Sequence, residues 1–164
     1  MWPASNTQRG KCCVLLDASD DKNEFRRLTA WTHLGNHAFQ RSCITADAES
    51  GEIRVARGGY YVFYDHLAVC RCAANVEFRQ RVYRRPANDG DDEILLEDSS
   101  LGGSQGGGEG GCAGEPAFSS DLFAVIWLED GDFVGINVKP ASAVYRPNSA
   151  SFFGLYRLPL FWQS

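Results

Sequence analysis

Residues 119–158 read SSDLFAVIWLEDGDFVGINVKPASAVYRPNSASFFGLYRL. Three apolar runs, LFAVIWL at 122–128, FVGINV at 133–138 and FFGLYRL at 152–158, are separated by turn-forming residues. Short runs of β-branched and aromatic side chains, punctuated by glycine, proline and aspartate, are strand signals. Glu129-Asp130-Gly131-Asp132 predicts a hairpin turn, and a looser connection with Pro140 and Pro147 precedes the last run. Nothing in this segment looks like catalytic machinery. It reads as a β-sandwich with more aromatic surface than one small domain needs, which points to assembly and binding.

The same pattern extends upstream. Gly58-Gly59 opens YYVFYDHLAV at 60–69, almost continuous in aromatic and β-branched residues. On a strand, Tyr61, Phe63, Asp65 and Leu67 face one way and Tyr60, Val62, Tyr64 and His66 the other. One set can fill a core; the second still carries large rings and needs cover from another layer or another subunit. Further strands are expected at 12–16 (CCVLL), around Leu28 and Trp31, at 53–56, at 76–85 and at 93–97 (EILLE). Val76, Phe78 and Val82 recur among arginines, so one face of the 76–85 strand is cationic, and 86–90 is a turn. About eight to ten short strands, no amphipathic helix and no internal repeat predict an all-β, antiparallel jelly-roll sandwich.

A chain of 164 residues suits one domain, placed at 12–164 with a flexible glycine-rich loop at 101–114. That loop holds eight of the seventeen glycines, too little side chain to order itself. A net charge of -5 argues against bulk phosphate-backbone binding, although Arg79, Arg81, Arg84 and Arg85 form a local basic cluster. No run reaches the length of a membrane span, and MWPASNTQRG lacks the apolar centre of a signal peptide. The six cysteines, Cys12, Cys13, Cys43, Cys70, Cys72 and Cys112, have no paired CxxC knuckles. Disulfides in an oxidising compartment account for them better than zinc, with the connectivity open.

Enzyme chemistry finds little support. Gly106, Gly108 and Gly111 match GxGxxG only because the region is low in complexity, and no strand and helix flank them. His33 and His37, with Cys43, hold a metal on one face only if helical, and Gly35-Asn36 between the histidines argues for a turn. Asp65 and His66 are strand neighbours pointing to opposite faces, which separates them as a dyad. No cofactor, metal or nucleic acid is expected.

Three blocks resemble the tumour necrosis factor ligand family. GGYYVFY at 58–64 resembles its central strand, LFAVIWLEDGD at 122–132 its apolar strand ending in Leu-Glu-x-Gly-Asp, and SFFGLYRL at 151–158 its closing strand. Val82-Tyr83-Arg84 and Ile94-Leu95-Leu96 fall where that family has strands, and Trp31 resembles an early tryptophan common in it. The resemblance implies a ten-stranded jelly roll, a homotrimer, and binding of a cysteine-rich receptor ectodomain in grooves between protomers to trigger signalling. It carries Tyr61, Phe63, Phe123, Phe152 and Tyr156 onto the trimer interface. By position, Arg84, Arg85, Pro86, Tyr145 and Arg146 become receptor contacts, with charge replacing a tyrosine that several members have in the 84–90 turn. Cys112 would pair with Cys70 or Cys72, with Cys72 preferred. The resemblance further implies an extracellular or cell-surface ectodomain, secreted or from a type II membrane protein, with 1–11 as a stalk remnant. Cys12, Cys13, Cys43 and the tail at 159–164 are not general features of the family. Rival readings are a C1q-type trimeric domain and a jelly-roll lectin; the order Phe-Phe-Gly at 152–154 and the lack of a recognisable sugar-binding set favour the first family.

Overall fold

The computed structural model describes residues 24–29, 43–47, 49–70, 77–88, 90–101, 118–145 and 151–159. The expected strand at 12–16, segments 1–11 and 160–164, and the glycine-rich stretch beyond Leu101 lie outside these residues. So do Trp31, His33, His37, Arg146, Cys12, Cys13, Cys72 and Cys112.

The chain forms β1 (Arg26–Arg27), β2 (Ile44–Asp47), β3 (Glu52–Val55), β4 (Gly59–Val69), β5 (Glu77–Arg85) and β6 (Glu93–Leu101). β7 (Phe118–Ser120), β8 (Phe123–Leu128), β9 (Phe133–Lys139) and β10 (Phe152–Arg157) complete the strands, with a 3-10 turn at Ala141–Ala143. All strand pairs are antiparallel, in two sheets. The six-stranded sheet runs β2-β3-β9-β5-β6, with β1 also on β9. In the four-stranded sheet β4 is central: β10 pairs with one edge, β7 and β8 with the other. This is an antiparallel jelly-roll sandwich, as the strand pattern predicts.

β4 positions everything else. Its eleven residues alternate, so Tyr61, Phe63 and Leu67 turn inward and are fully buried. They meet Val55 from β3, Phe78 and Val82 from β5, Ile126 and Leu128 from β8, Val134, Ile136 and Val138 from β9 and Leu155 from β10. Tyr61 buries its ring without orphaning its hydroxyl, which donates to the Arg57 carbonyl at 2.6 Å.

The turn at 129–132 differs from the expectation. It joins β8 and β9, but these strands lie in different sheets and do not pair. Its polar groups are spent elsewhere. The Gly131 N–H donates to Val55 O at 2.7 Å and the Val55 N–H to Asp132 O at 2.8 Å. Asp130 accepts the Gly58 N–H, and Asp132, almost fully buried, accepts the Glu129 N–H at 2.8 Å. The turn therefore crosses between sheets and is fastened to the corner between β3 and β4.

Two short strands, β2 and β7, carry no strong pattern of their own and were not expected. Each is specified by a partner ladder, Ile44–Asp47 on β3 and Phe118–Ser120 on β4. β6 runs on to Leu101, past the expected end at Glu97, because all of β5 from Glu77 to Arg84 pairs with it.

Tyr83 lies directly across from Gly135 on the next strand, and a Cβ there would stand 2.3 Å from the tyrosine oxygen. Because Tyr83 is fully buried, Gly135→Ala should cost about 1–3 kcal/mol, the usual range for overpacking. A lowered urea midpoint with an unchanged slope is the expected readout; an unchanged midpoint would contradict this packing.

Candidate interaction surface

The outward face of the four-stranded sheet is apolar. Among the described residues, seven of the eight exposed large hydrophobics sit on it: Tyr60, Tyr64, Phe123, Val125, Trp127, Phe152 and Tyr156. Ile94 on β6 is the eighth. Register makes the seven neighbours: Tyr60 stands opposite Trp127, Tyr64 opposite Phe123, and Tyr156 opposite Val62, which faces Val125 on the other side. Tyr60 and Trp127 meet edge to face at 4.9 Å between centroids, and Tyr64 and Tyr156 are tilted at 6.4 Å. Phe123 is 71% exposed and Val125 55%, the two most exposed of the set.

Gly154 flattens the centre of this face. Tyr64 lies over it, and a Cβ at position 154 would come within 2.4 Å of the tyrosine oxygen. A polar rim bounds the face. His66 stacks on Phe152 at 5.5 Å and pairs through Nδ1 with Asp121, which also accepts the Ser119 hydroxyl at 2.7 Å. Burial alone would raise the Asp121 carboxyl, but its hydrogen bonds to Ser119 and His66 outweigh that and leave it below its ordinary value. At the far end Trp127 Nε1 donates to Glu129 at 2.8 Å.

The outward face of the six-stranded sheet is built differently. Glu52, nearly fully buried, accepts Arg85 Nη2 at 2.7 Å and the Tyr83 hydroxyl at 3.0 Å, and Arg27 lies 3.2 Å away. Burial pushes the Glu52 carboxyl up, yet these partners outweigh it and hold the group below its ordinary value. Burial, reinforced by the Glu52 charge, holds the Tyr83 phenol well above its ordinary value. Guanidinium groups cover rings throughout: Arg27 on Tyr83, Arg85 on Phe133 at 4.1 Å, and Arg81 on Phe25 at 3.7 Å. Glu97 pairs with both Arg79 and Arg81.

No family model and no curated relative matches the sequence. Among solved structures the chain is similar to murine APRIL, a tumour necrosis factor-family ligand. The TM-score is 0.53 and the identity 17%, over 73% of this chain and 78% of that one. The fold is a TNF-like jelly roll.

On this jelly roll the expected interface residues separate into two groups. Phe123, Phe152 and Tyr156 lie on the exposed apolar face. Tyr61 and Phe63 do not: they point into the protomer's own core, and the outward residues of β4 are Tyr60 and Tyr64. Alternation along β4 puts Tyr61 and Phe63 on the opposite side of the sheet from its exposed rings. Sequence reading also passed over Val125 and Trp127, although both alternate with Phe123 along β8 and so share its face.

The expected receptor contacts are not brought together. Arg84, Arg85 and Pro86 end β5 beside the 129–132 turn, where a Cβ on Gly131 would stand 2.9 Å from that of Ala87. Tyr145 sits at the other end of β4, its N–H donating to Ala68 O at 2.7 Å. The arginines also have internal partners: Arg85 binds Glu52, and Arg84 lies 3.4 Å from both Glu93 and Asp132. Of the cysteines, Cys43 carries a free thiol and Cys70 is buried.

Charge placed on the apolar face should separate assembly from folding. Phe123→Asp and Tyr156→Asp should leave the circular dichroism of the sandwich intact, because both side chains point outward. If the face is an interface, each should weaken self-association by several kcal/mol, since an unpaired charge would be buried there. Ile94→Asp, on the other sheet, should leave the molar mass by light scattering unchanged.

Proposed function

We propose that this chain is a cytokine-type ligand domain that homotrimerises through the apolar face of its four-stranded sheet. In this reading the trimer acts outside the cell or at its surface, and presents inter-protomer grooves to a cysteine-rich, TNF-receptor-like ectodomain to trigger signalling. The observation that carries the proposal is the contiguous apolar face. Fully burying a large apolar side chain contributes about 1.5–3 kcal/mol, so covering several half-exposed rings at once favours a stable partner. A second and third copy of the chain supply that cover in a closed symmetric assembly.

The TNF-like fold supports this reading over an enzymatic one, because the structural neighbour is a ligand. Among the described residues no helix is long and apolar enough to cross a membrane. Tyr60, Tyr64, Phe123, Val125, Trp127, Phe152 and Tyr156 make the interface. Tyr61 and Phe63 contribute indirectly, by holding β4 in register. Receptor contact falls to the loops at the two ends of the sandwich, with Arg84, Arg85 and Pro86 at one end and Tyr145 at the other; Arg146, outside the described residues, is proposed as a further contact. Placing them at both ends fits a receptor lying along the length of a groove.

Light scattering at micromolar concentration should give three times the chain mass; a monomer would refute the proposal. Receptor binding is tested with immobilised TNF-receptor-family ectodomains. At least one should capture the assembled protein, and substitution of Tyr145 or Arg146 by alanine should lower that capture at least several-fold without altering the molar mass. Capture by none would remove the receptor half of the proposal while leaving assembly standing.

A further inference from the structure

Three parts of the chain converge on a cavity of about 350 Å³, lined among the described residues by Cys43, Arg57, Arg157, Leu158 and Pro159. Cys43 precedes β2, Arg57 lies in the corner between β3 and β4, and Arg157 ends β10 with Leu158 and Pro159 just beyond. Hydrogen bonds fix each wall. The Ala56 N–H donates to Cys43 O at 2.9 Å, and the Leu158 N–H to Tyr60 O at 2.8 Å. The Tyr61 hydroxyl donates to the Arg57 carbonyl at 2.6 Å. Arg157 Nε and Nη2 both donate to Gly58 O, at 3.2 and 2.9 Å.

The two arginines differ from the rest in their partners. Arg27, Arg79, Arg81, Arg84 and Arg85 each lie against a carboxylate, and Arg54 lies over the Phe133 ring. Among the described residues, neither Arg57 nor Arg157 has a carboxylate within salt-bridge distance. Asp130, which shares their neighbourhood around the Tyr61 phenol, accepts the Gly58 N–H instead. Binding Gly58 O along one edge locks the Arg157 guanidinium and leaves its Nη1 hydrogens, with one on Nη2, free to donate. Such a fork matches two oxygens of a carboxylate or a phosphate.

We propose that this cavity binds a small organic acid, its carboxylate or phosphate head held by Arg57 and Arg157 and its hydrocarbon body against Leu158 and Pro159. Two guanidinium charges bordering one space repel, and an anion between them removes that cost. Size points the same way: small-molecule pockets begin at roughly 300 Å³. The Cys43 thiol, free and half-buried on the same wall, serves as a built-in reporter of occupancy. All five lining residues come from one chain, so the site stands whether or not the chain assembles.

The test uses the whole chain, labelled with heavy nitrogen, and two acids that share a ring, phenyl phosphate and benzoate, at constant ionic strength. At least one should give saturable amide shifts centred on Arg57, Gly58, Arg157 and Leu158, half-complete at millimolar concentration or below. Which acid binds tells phosphate from carboxylate recognition. Benzyl alcohol, neutral with the same ring, should shift none of these amides. Arg57→Gln, at an exposed position, should weaken binding at least several-fold and leave the rest of the spectrum in place. Saturating acid should also slow alkylation of Cys43 by iodoacetamide several-fold, read on its own peptide by mass spectrometry. Shifts that never saturate with either acid, equal shifts with benzyl alcohol, an Arg57→Gln chain that binds as well as the native one, or an unprotected Cys43 would each overturn the site.

Discussion

The two-residue period of β4 is the constraint on which the rest of the molecule depends. It is hydrogen-bonded along both edges, to β10 on one side and to β7 and β8 on the other, so it cannot slide without breaking two ladders. A slip by one residue would drive Tyr61, Phe63 and Leu67 out of the core and bring Tyr60, Tyr64 and His66 in. That cost fixes which rings are core and which are surface. The apolar face and the packed core are the outer and inner consequences of the same alternation.

The two sheets meet the demands of their outer faces in contrasting ways. On the six-stranded sheet, rings are covered within the chain: arginine stems and guanidinium groups lie over Phe25, Tyr83 and Phe133, and Glu52 anchors two of those arginines. On the four-stranded sheet no cation lies over Phe123, Val125 or Trp127 among the described contacts, and the rings touch mainly one another. Among the described residues, the large exposed apolar side chains gather on the four-stranded sheet. The difference between the sheets is a stronger pointer to a partner than aromatic content, which is high on both.

Much of the fold was legible because strand signals are local. Alternation, turn residues and β-branched runs located β3, β4, β5, β8, β9 and β10 to within a residue or two. What was not legible came from partners distant in sequence. Arg85 reads as a free surface charge until β3 brings Glu52 to it from 33 residues away. The placement of Tyr61 and Phe63 at an interface came from resemblance, against an alternation that already separated them from Tyr60 and Tyr64. Neighbouring rings cannot share a face, and Phe123 and Phe152 lie across from Tyr64 and His66, which selects the even positions. The glycine roles at 135 and 154 were hidden for the same reason, since each depends on a tyrosine from another strand.

The turn at 129–132 bears on how the chain reaches this state. β8 and β9 follow one another in sequence, yet their connection obtains its hydrogen bonds from Val55 and Gly58. Closing it early gains only its two local bonds, from the Glu129 N–H to the Asp132 carboxylate and from the Asp132 N–H to Glu129 O, while those with Val55 and Gly58 wait for the β3–β4 corner. The rest of its fastening depends on contacts distant in sequence, which require long loop closures. A segment that looks like an autonomous hairpin nucleus is, in this molecule, a late fastener.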